Sequence, residues 1–598
     1  EGPPLPPRPP SLAAAALWLA LGSLGLVLAA EAAIDVALFR RFHHGLDQAS
    51  VLVLARGLLA GWTLALGLAA LAFAATRRPF ASLALAGVLV GALAAADALL
   101  LVHLGAPLAA QDVHRARDLA AIVAALVPRR ALAVPGILLA LCFALAAILL
   151  WRERPRGGGR AQLAAGLAAL ALAAGGLGLA RRETVPPAGA EARASLGRGL
   201  LLDLAAGALA APLRPPPGYS AAEVACVLAA GAAPAEDGAA AGEPPSLVVL
   251  LVDSLVDPRD LGFALAADPI PALRAVEAAG RRGSAVVPRG APGTVDAELE
   301  LLTGACTAFL PPGTVAGRQG VRRDLPGLPR ILAGRGARAR AILADPPAFL
   351  DRTRVYAHLG LADVIGLPAG GARGRASDEA VVDAVLELAA LEGPFFAFAV
   401  TAATRGPHGR AEGGAGAGRV LDAPNARVAR ELGGYATAVA ATDRAIGRLL
   451  AGLAARGRAV LVVVLGTHPP LFGGPDGVYE KSPVFRGDSP DARRRRLEVP
   501  VWMWASFPLE RAPFATSTNL LGLLILETLG VAPGPFLRVA AEVRARHPVF
   551  SRLVVDPDGA TRPFLAPRER RDPAVRDYEL VQHDLLGGEG TYYDAVRR

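Results

Sequence analysis

Three short stretches of this chain set a reactive side chain beside a backbone turn. Val252 is followed by Asp253-Ser254, and Leu465 by Gly466-Thr467-His468-Pro469-Pro470. Between them, Gly290-Ala-Pro-Gly-Thr294-Val-Asp-Ala-Glu298 carries a Gly/Pro turn into a helix. A carboxylate, an imidazole and a hydroxyl at a helix start are the groups that a metal-activated threonine nucleophile needs. In the first turn of a helix, free backbone N–H groups and the dipole favour an alkoxide and an anionic phosphoryl group. Taken one at a time, the same residues have ordinary uses: a Thr caps a helix, an Asp forms a turn, and a His at a strand end holds a backbone group. Only convergence makes them a site.

The flanking segments supply a means of convergence. Ser246–Val252, Phe395–Val400 and 459–465 are continuous β-branched, leucine or phenylalanine runs, as expected of strands buried on both faces of a parallel sheet. Helical segments fall between them, at 298–302, 378–391 and 435–456, so the region is predicted to be a layered α/β domain. In such a sheet, ligands bind beyond the carboxyl ends of the strands, where Asp253, Thr467 and His468 stand. The expectation is that Asp253, Thr294 and His468 bring their tips within about 6 Å of one another, a span one metal ion can bridge.

Composition adds a second region. The chain has 598 residues, 53 % of them apolar and 19 % charged, with a mean hydropathy of +0.40, high for a soluble globular protein. Five apolar stretches, near 12–30, 51–75, 80–104, 133–151 and 161–180, are long enough to cross a hydrocarbon core. Residues 114–127 read as an interfacial helix. Arg77 and Arg78, and the cluster Arg152, Arg154, Arg156 and Arg160, mark their short loops as cytoplasmic. With five spans the N-terminus is then cytoplasmic and everything after Arg182 lies outside, in a multi-pass cell (inner) membrane protein with a large extracytoplasmic domain. Asp97, inside the third stretch, is an intramembrane carboxylate that suits either a functional or a helix-pairing role.

The net charge of +9 gives no reason to expect a nucleic-acid partner. Residues 1–182 hold 16 Arg and 8 acidic residues, a net of +8, which leaves +1 for the remainder, so the large C-terminal portion carries no basic face. Cys142, Cys226 and Cys306 cannot build a disulfide framework; Cys142 reads as membrane-buried, and Cys226 and Cys306 as two separate buried thiols or one bridge. The division expected is a transmembrane domain at 1–182, a linker with a surface helix at 183–243, the α/β domain at 244–545 and a polar tail at 546–598.

The ordered set of segments resembles the lipoteichoic acid synthase and phosphoglycerol transferase group of the alkaline phosphatase and sulfatase superfamily. Thr294-Val-Asp-Ala-Glu298 is similar to that group's nucleophile segment. Leu325–Leu332, Phe349–Tyr356 and His358-Leu-Gly360 are similar to its middle section. Val462–Pro470 stands where the group reads Gly-Asp-His, Glu498–Val501 and Thr516–Gly530 match its late strand and helix, and Val581–Leu586 is similar to its closing segment. The resemblance implies a sulfatase-like extracytoplasmic domain behind five spans and one Mn²⁺ or Mg²⁺ ion held by Asp253, Thr294, Thr467 and His468. It also implies Thr294 as nucleophile, Arg352 on the substrate phosphate, and His408 contacting substrate and moving a proton. The implied reaction passes a phosphoglycerol or related phosphoalcohol group from a phospholipid such as phosphatidylglycerol to a glycan or polymer hydroxyl, through a phosphothreonine.

The chain departs from the pattern in three places. Asp253 is one methylene shorter than the usual Glu, Thr467 replaces an Asp, and Leu350 stands where a Trp is usual. A neutral hydroxyl is a weak ligand for a hard cation, so weakened metal affinity is expected. The alternative reading is a catalytically degenerate sulfatase-fold protein that binds a lipid head group or glycan in envelope assembly. Cys306-Thr-Ala-Phe-Leu310 lacks the Pro and Arg of the formylglycine motif, and the cysteines are too few for the disulfide-rich phosphoethanolamine transferases.

Overall fold

The computed structural model describes residues 12–42, 48–104, 108, 129–155, 158–182, 199–201, 204–205, 213–231, 244–290, 293–310, 317, 320–368, 376–406, 408, 418–470, 472, 477–487, 489–564 and 572–597. Contacts divide the chain into two compact units, residues 1–186 with 190–210, and residues 187–189 with 211–598. The interfacial helix expected at 114–127 lies outside the described residues, as does most of the linker expected at 183–243.

Five apolar helices make up the described part of the N-terminal unit: Leu12–Phe42, Gln48–Thr76, Pro79–Leu104, Arg129–Arg152 and Gly159–Arg182. Three contain stretches long and apolar enough to cross a membrane, Ala14–Ala32, Leu58–Thr76 and Pro79–Leu99. The fourth holds a shorter apolar stretch, Gly136–Arg152, so among the described residues three of the five expected spans meet this length and hydropathy. Three carboxylates of this unit accept backbone N–H groups, Glu31 that of Leu200 at 2.9 Å. Asp97 accepts the Leu108 N–H at 2.6 Å, while Glu153 accepts the N–H groups of Phe80 and Ala81 at 3.3 and 2.9 Å, capping the start of Pro79–Leu104 where the helix dipole favours negative charge.

The second unit is built on an eight-stranded sheet in the order β4-β3-β5-β1-β6-β7-β2-β8. The strands are β1 Ser246–Val252, β2 Arg281–Val286, β3 Arg338–Leu343, β4 Asp363–Gly366, β5 Phe395–Val400, β6 Val460–Gly466, β7 Glu498–Ala505 and β8 Phe514–Ser517. Strands β4, β3, β5, β1 and β6 run parallel, and β7 is antiparallel to both β6 and β2. The apolar runs are explained by two cores. Leu247, Val249, Leu251, Phe396, Phe398, Leu461 and Val463 enter one core, and Val248, Leu250, Val252, Phe395, Ala397, Val460 and Val462 the other. Alternate side chains of β1, β5 and β6 are thus buried on opposite faces, so beyond Ser246 these three strands carry no polar side chain until they end.

Several segments expected to be peripheral belong to this unit. The helix Ala221–Ala230, within the region expected to be linker, begins beyond Tyr219, whose hydroxyl donates to Asp584 Oδ1 at 2.7 Å. The region expected to be a polar tail forms an antiparallel sheet, β9 Val549–Phe550, β10 Leu553–Val555 and β11 Thr561–Pro563, followed by the helices Pro573–Leu586 and Thr591–Arg597. Tyr578 is fully buried. Gln582 exchanges two hydrogen bonds with the backbone of Cys306, at 2.7 and 2.9 Å. The Arg-rich composition hid this, because the apolar face of Pro573–Leu586 is only one stripe of a helix. Cys306 is buried, Cys226 is exposed, and neither is bridged.

Gly466 closes β6 against the turn after β1: a Cβ there would lie 2.2 Å from the Leu255 carbonyl oxygen. That approach is open only to glycine. Gly466→Ala is expected to destabilise the α/β unit by more than about 2 kcal/mol, a backbone clash in a packed interior, seen as a lower denaturant midpoint by far-UV circular dichroism. A surface control, Gly457→Ala, strained only by its positive φ of 62°, should lose about 1 kcal/mol.

Candidate active site

The strand ends lie in register at the carboxyl rim. Thr467 N–H donates to the Val252 carbonyl, Thr401 N–H to that of Leu251 and Ala344 N–H to that of Val400, each at 3.0 Å. The next residues, Asp253 after β1, Thr467-His468 after β6, Thr404-Arg405 after β5 and Asp345 after β3, therefore gather at one place. The carboxyl end of β2 points to the same rim and leads through 287–293 to the helix Thr294–Thr303. Gly293 precedes that helix because a Cβ would meet the carbonyl oxygens of Arg289 and Gly290 at 2.8 Å. Thr294 is its first residue, and every residue of the helix is buried.

Asp253 and His468 converge as expected, with Oδ1 3.6 Å from Nε2. The His468 Nδ1 lies 2.9 Å from the Pro469 carbonyl oxygen, which assigns the proton of a neutral ring to Nδ1 and turns the Nε2 lone pair toward Asp253. Burial pushes the His468 pKa below its ordinary value, against the pull of Asp253, so the ring is neutral near pH 7. Thr467 joins the same cluster by accepting the Ser254 N–H at 3.4 Å. Ser254 takes a left-handed backbone, φ 60°, and its hydroxyl donates to Asp253 Oδ1 at 2.7 Å. The Tyr435 hydroxyl holds that turn, 2.8 Å from the Ser254 carbonyl and from the Val256 N–H.

Arg405, Asp345 and Glu298 complete the cluster, and none of the three stood out in the sequence. Arg405 Nε donates to Asp253 Oδ2 at 2.6 Å, and its two terminal nitrogens reach the Asp345 oxygens at 3.3 and 2.9 Å. Arg352 donates to Glu298 from Nε at 3.1 and 3.2 Å and from a terminal nitrogen at 2.5 Å; its other terminal nitrogen lies 3.7 Å from Asp345. Glu298 stands one turn beyond Thr294. A buried chain of charge thus runs Glu298, Arg352, Asp345, Arg405, Asp253, with the His468 ring at its end. Burial alone would raise the Asp253 pKa; the Arg405 guanidinium first, then the hydrogen bond from the Ser254 hydroxyl, hold it well below the usual carboxylate range. Removing one partner would leave an uncompensated buried charge, a loss of about 3–5 kcal/mol.

The other expected residues are placed less directly. The phosphate contact expected of Arg352 is, in this structure, a contact with Glu298. Arg352 follows two left-handed non-glycine residues, Leu350 and Asp351, with φ of 62° and 58°, backbone strain of the kind that persists where surrounding contacts demand it. His408 is buried with its ring 5.0 Å from that of Tyr435 and 5.6 Å from that of Phe472. It is therefore joined to the Asp253 turn through Tyr435.

Members of the sulfatase and alkaline phosphatase superfamily use a metal ion, and this donor set does not fit one. One oxygen of Asp253 is on a guanidinium, the other accepts the Ser254 hydroxyl, Thr467 is uncharged, and His468 adds a single nitrogen. Among the described residues no group of three or more His, Cys, Asp and Glu is arranged to hold a metal ion.

The Sulfatase family model matches residues 245–517. A protein of Rhizobium meliloti (strain 1021) named for cyclic beta-1,2-glucan modification is 28 % identical over 362 residues, 58 % of this chain and 55 % of the relative. The chain therefore spans about half the length of that curated relative. The fold is similar to that of the Streptococcus pyogenes phosphoglycerol transferase GacH in complex with sn-glycerol-1-phosphate. That likeness covers 64 % of this chain and 98 % of the other at 16 % identity, with a TM-score of 0.51. The Neisseria meningitidis lipooligosaccharide phosphoethanolamine transferase A aligns over 86 % of this chain and 95 % of its own at 14 % identity, TM-score 0.47.

The helix Thr294–Thr303 also buries an acid of its own. Glu300 is buried, accepts the Thr307 N–H and hydroxyl at 2.8 and 2.9 Å, and is pushed up to about 8 by burial. Its folded state keeps a proton that the unfolded chain releases near pH 4.3, so its contribution falls as pH rises between about 4.3 and 8. Glu300→Gln keeps the acceptor oxygen and is expected to flatten that slope, gaining stability over wild type as pH goes from 5 to 8 in urea melts. A constant difference across that range contradicts the protonated buried carboxyl.

Proposed function

We propose that this protein, whose residues 245–517 form a domain of the Sulfatase family, is a membrane-anchored transferase of phosphoalcohol groups working at Thr294. Thr294 Oγ attacks the phosphorus of a phospholipid such as phosphatidylglycerol. The P–O bond to diacylglycerol breaks, its oxygen takes a proton, and phosphoglycerol is left on the threonine. An acceptor hydroxyl on a glycan or polymer then attacks the same phosphorus and frees Thr294. The observation that carries this reading is the buried charge chain, which ties the helix opened by Thr294 to the Asp253-His468 rim through Glu298, Arg352, Asp345 and Arg405. Arg352 acts in this reading by positioning that helix. His408 moves the proton between Thr294 and the leaving or attacking oxygen. The glycan named in the Rhizobium meliloti relative supports a glycan acceptor. The apolar helices keep the site near its lipid donor, with the N-terminus cytoplasmic and the catalytic unit outside the cell membrane.

One observation favours a second reading. With Asp253 committed to Arg405 and Thr467 in place of a second acid, the domain would bind the lipid head group or glycan without turning it over, and the Mn²⁺ or Mg²⁺ implied by resemblance would have no part.

The full chain in detergent, incubated with phosphatidylglycerol in EDTA and separately in Mn²⁺, distinguishes the two by intact and peptide mass spectrometry. A glycerophosphate adduct on Thr294, lost in Thr294→Ala, is expected. No adduct in either condition, with Thr294→Ala matching wild type in cells, would sink the transferase reading, and retained binding to phosphatidylglycerol vesicles would then favour the second.

A further inference from the structure

The geometry points to Arg405 as the resident cation of this site: we propose that its guanidinium takes the place of the superfamily's metal ion, so that the pocket holds its charge and shape without a divalent ion. The inference rests on the rim being the reactive site, as proposed above, but not on whether Thr294 turns over. Arg405 delivers one nitrogen to Asp253 at 2.6 Å and two to Asp345 at 3.3 and 2.9 Å. A planar fork can serve two carboxylates at once, whereas a hard cation needs several oxygens drawn into a compact shell. The loop that carries Arg405 is fixed to β1 by the Thr404 hydroxyl, which donates to the Asp253 carbonyl. The guanidinium is thereby delivered by anchored backbone.

Charge agrees with the placement. Asp253, Asp345 and Glu298 bring three carboxylates, and Arg352 and Arg405 two guanidiniums, a net of −1 for these five groups. A divalent ion set between Asp253 and His468 would reverse that sign and share its one carboxylate with a guanidinium already in hydrogen-bond contact. Thr467 fits the same reading: with Arg405 present, a second acid beside Asp253 is not required to balance anything, and its hydroxyl serves the Ser254 N–H instead.

Calorimetric titration of the full chain in detergent with Mn²⁺ alone tests the proposal. Wild type is expected to show no site that Asp253→Asn removes. Thr467→Asp alone should gain none, because Arg405 still fills the place. Thr467→Asp with Arg405→Ala should bind at least about tenfold more tightly than wild type. An Asp253-dependent Mn²⁺ site in the wild type, tight Mn²⁺ binding by Thr467→Asp alone, or a folded double variant that binds no better than wild type would each overturn it. If the double variant does not fold, the wild-type and Thr467→Asp titrations decide. A missing Thr294 adduct refutes the transferase reading and leaves these titrations unaffected.

Discussion

Arg405, held between Asp253 and Asp345, is the interaction on which the rim of this sheet depends. Three carboxylates and two guanidiniums are enclosed in an α/β unit where an unpaired charge costs several kcal/mol, and each is tolerable only because its neighbour is present. The alternation also connects elements far apart in sequence. Asp253 and Arg405 are separated by 152 positions, Asp345 and Arg405 by 60, and Glu298 and Arg352 by 54. Disturbing any of these groups reaches the helix of Thr294 at one end and the His468 ring at the other.

The sheet makes this possible. Strands buried on both faces leave little room for polar side chains; β5, β6 and β1 after Ser246 carry none, so their polar groups appear where the strands stop. Because β3, β5, β1 and β6 stop in register, those groups meet. Close backbone approach tightens the arrangement: Gly466 lies against the Leu255 carbonyl, and Ser254 accepts a left-handed conformation that places its hydroxyl on Asp253. Leu350 and Asp351 do the same before Arg352. Strain is thus stored beside the charged residues and offset by the two apolar cores.

The resemblance assigns roles to Thr294, Arg352, His408 and His468, and the sequence departs from its pattern at Asp253 and Thr467. A guanidinium and a metal ion are alike in charge sign and unlike in geometry, since one donates protons in a plane and the other gathers lone pairs in a shell. The N-terminal unit adds the apolar helices, in which Glu31, Asp97 and Glu153 accept backbone N–H groups.

By itself the sequence determined the strands β1, β5 and β6, the apolar N-terminal region, the helix opened by Thr294 and the convergence of Asp253 with Thr467 and His468. Each of these is written as local chemistry: a run of β-branched residues, a hydropathy excess, or a Gly/Pro turn before an amphipathic stretch. Other features have no local signature. Arg405 lies in a Gly/Pro loop and reads as one more solvated charge, Asp345 as a turn residue, Glu298 as an ordinary helical acid, and Pro573–Leu586 as part of a polar tail. Their burial and pairing follow from which strands are neighbours and how their ends align. An ion pair between residues 60 or 152 positions apart leaves no periodicity along the chain, so only the packed sheet could decide that an arginine stands at the carboxylate after β1.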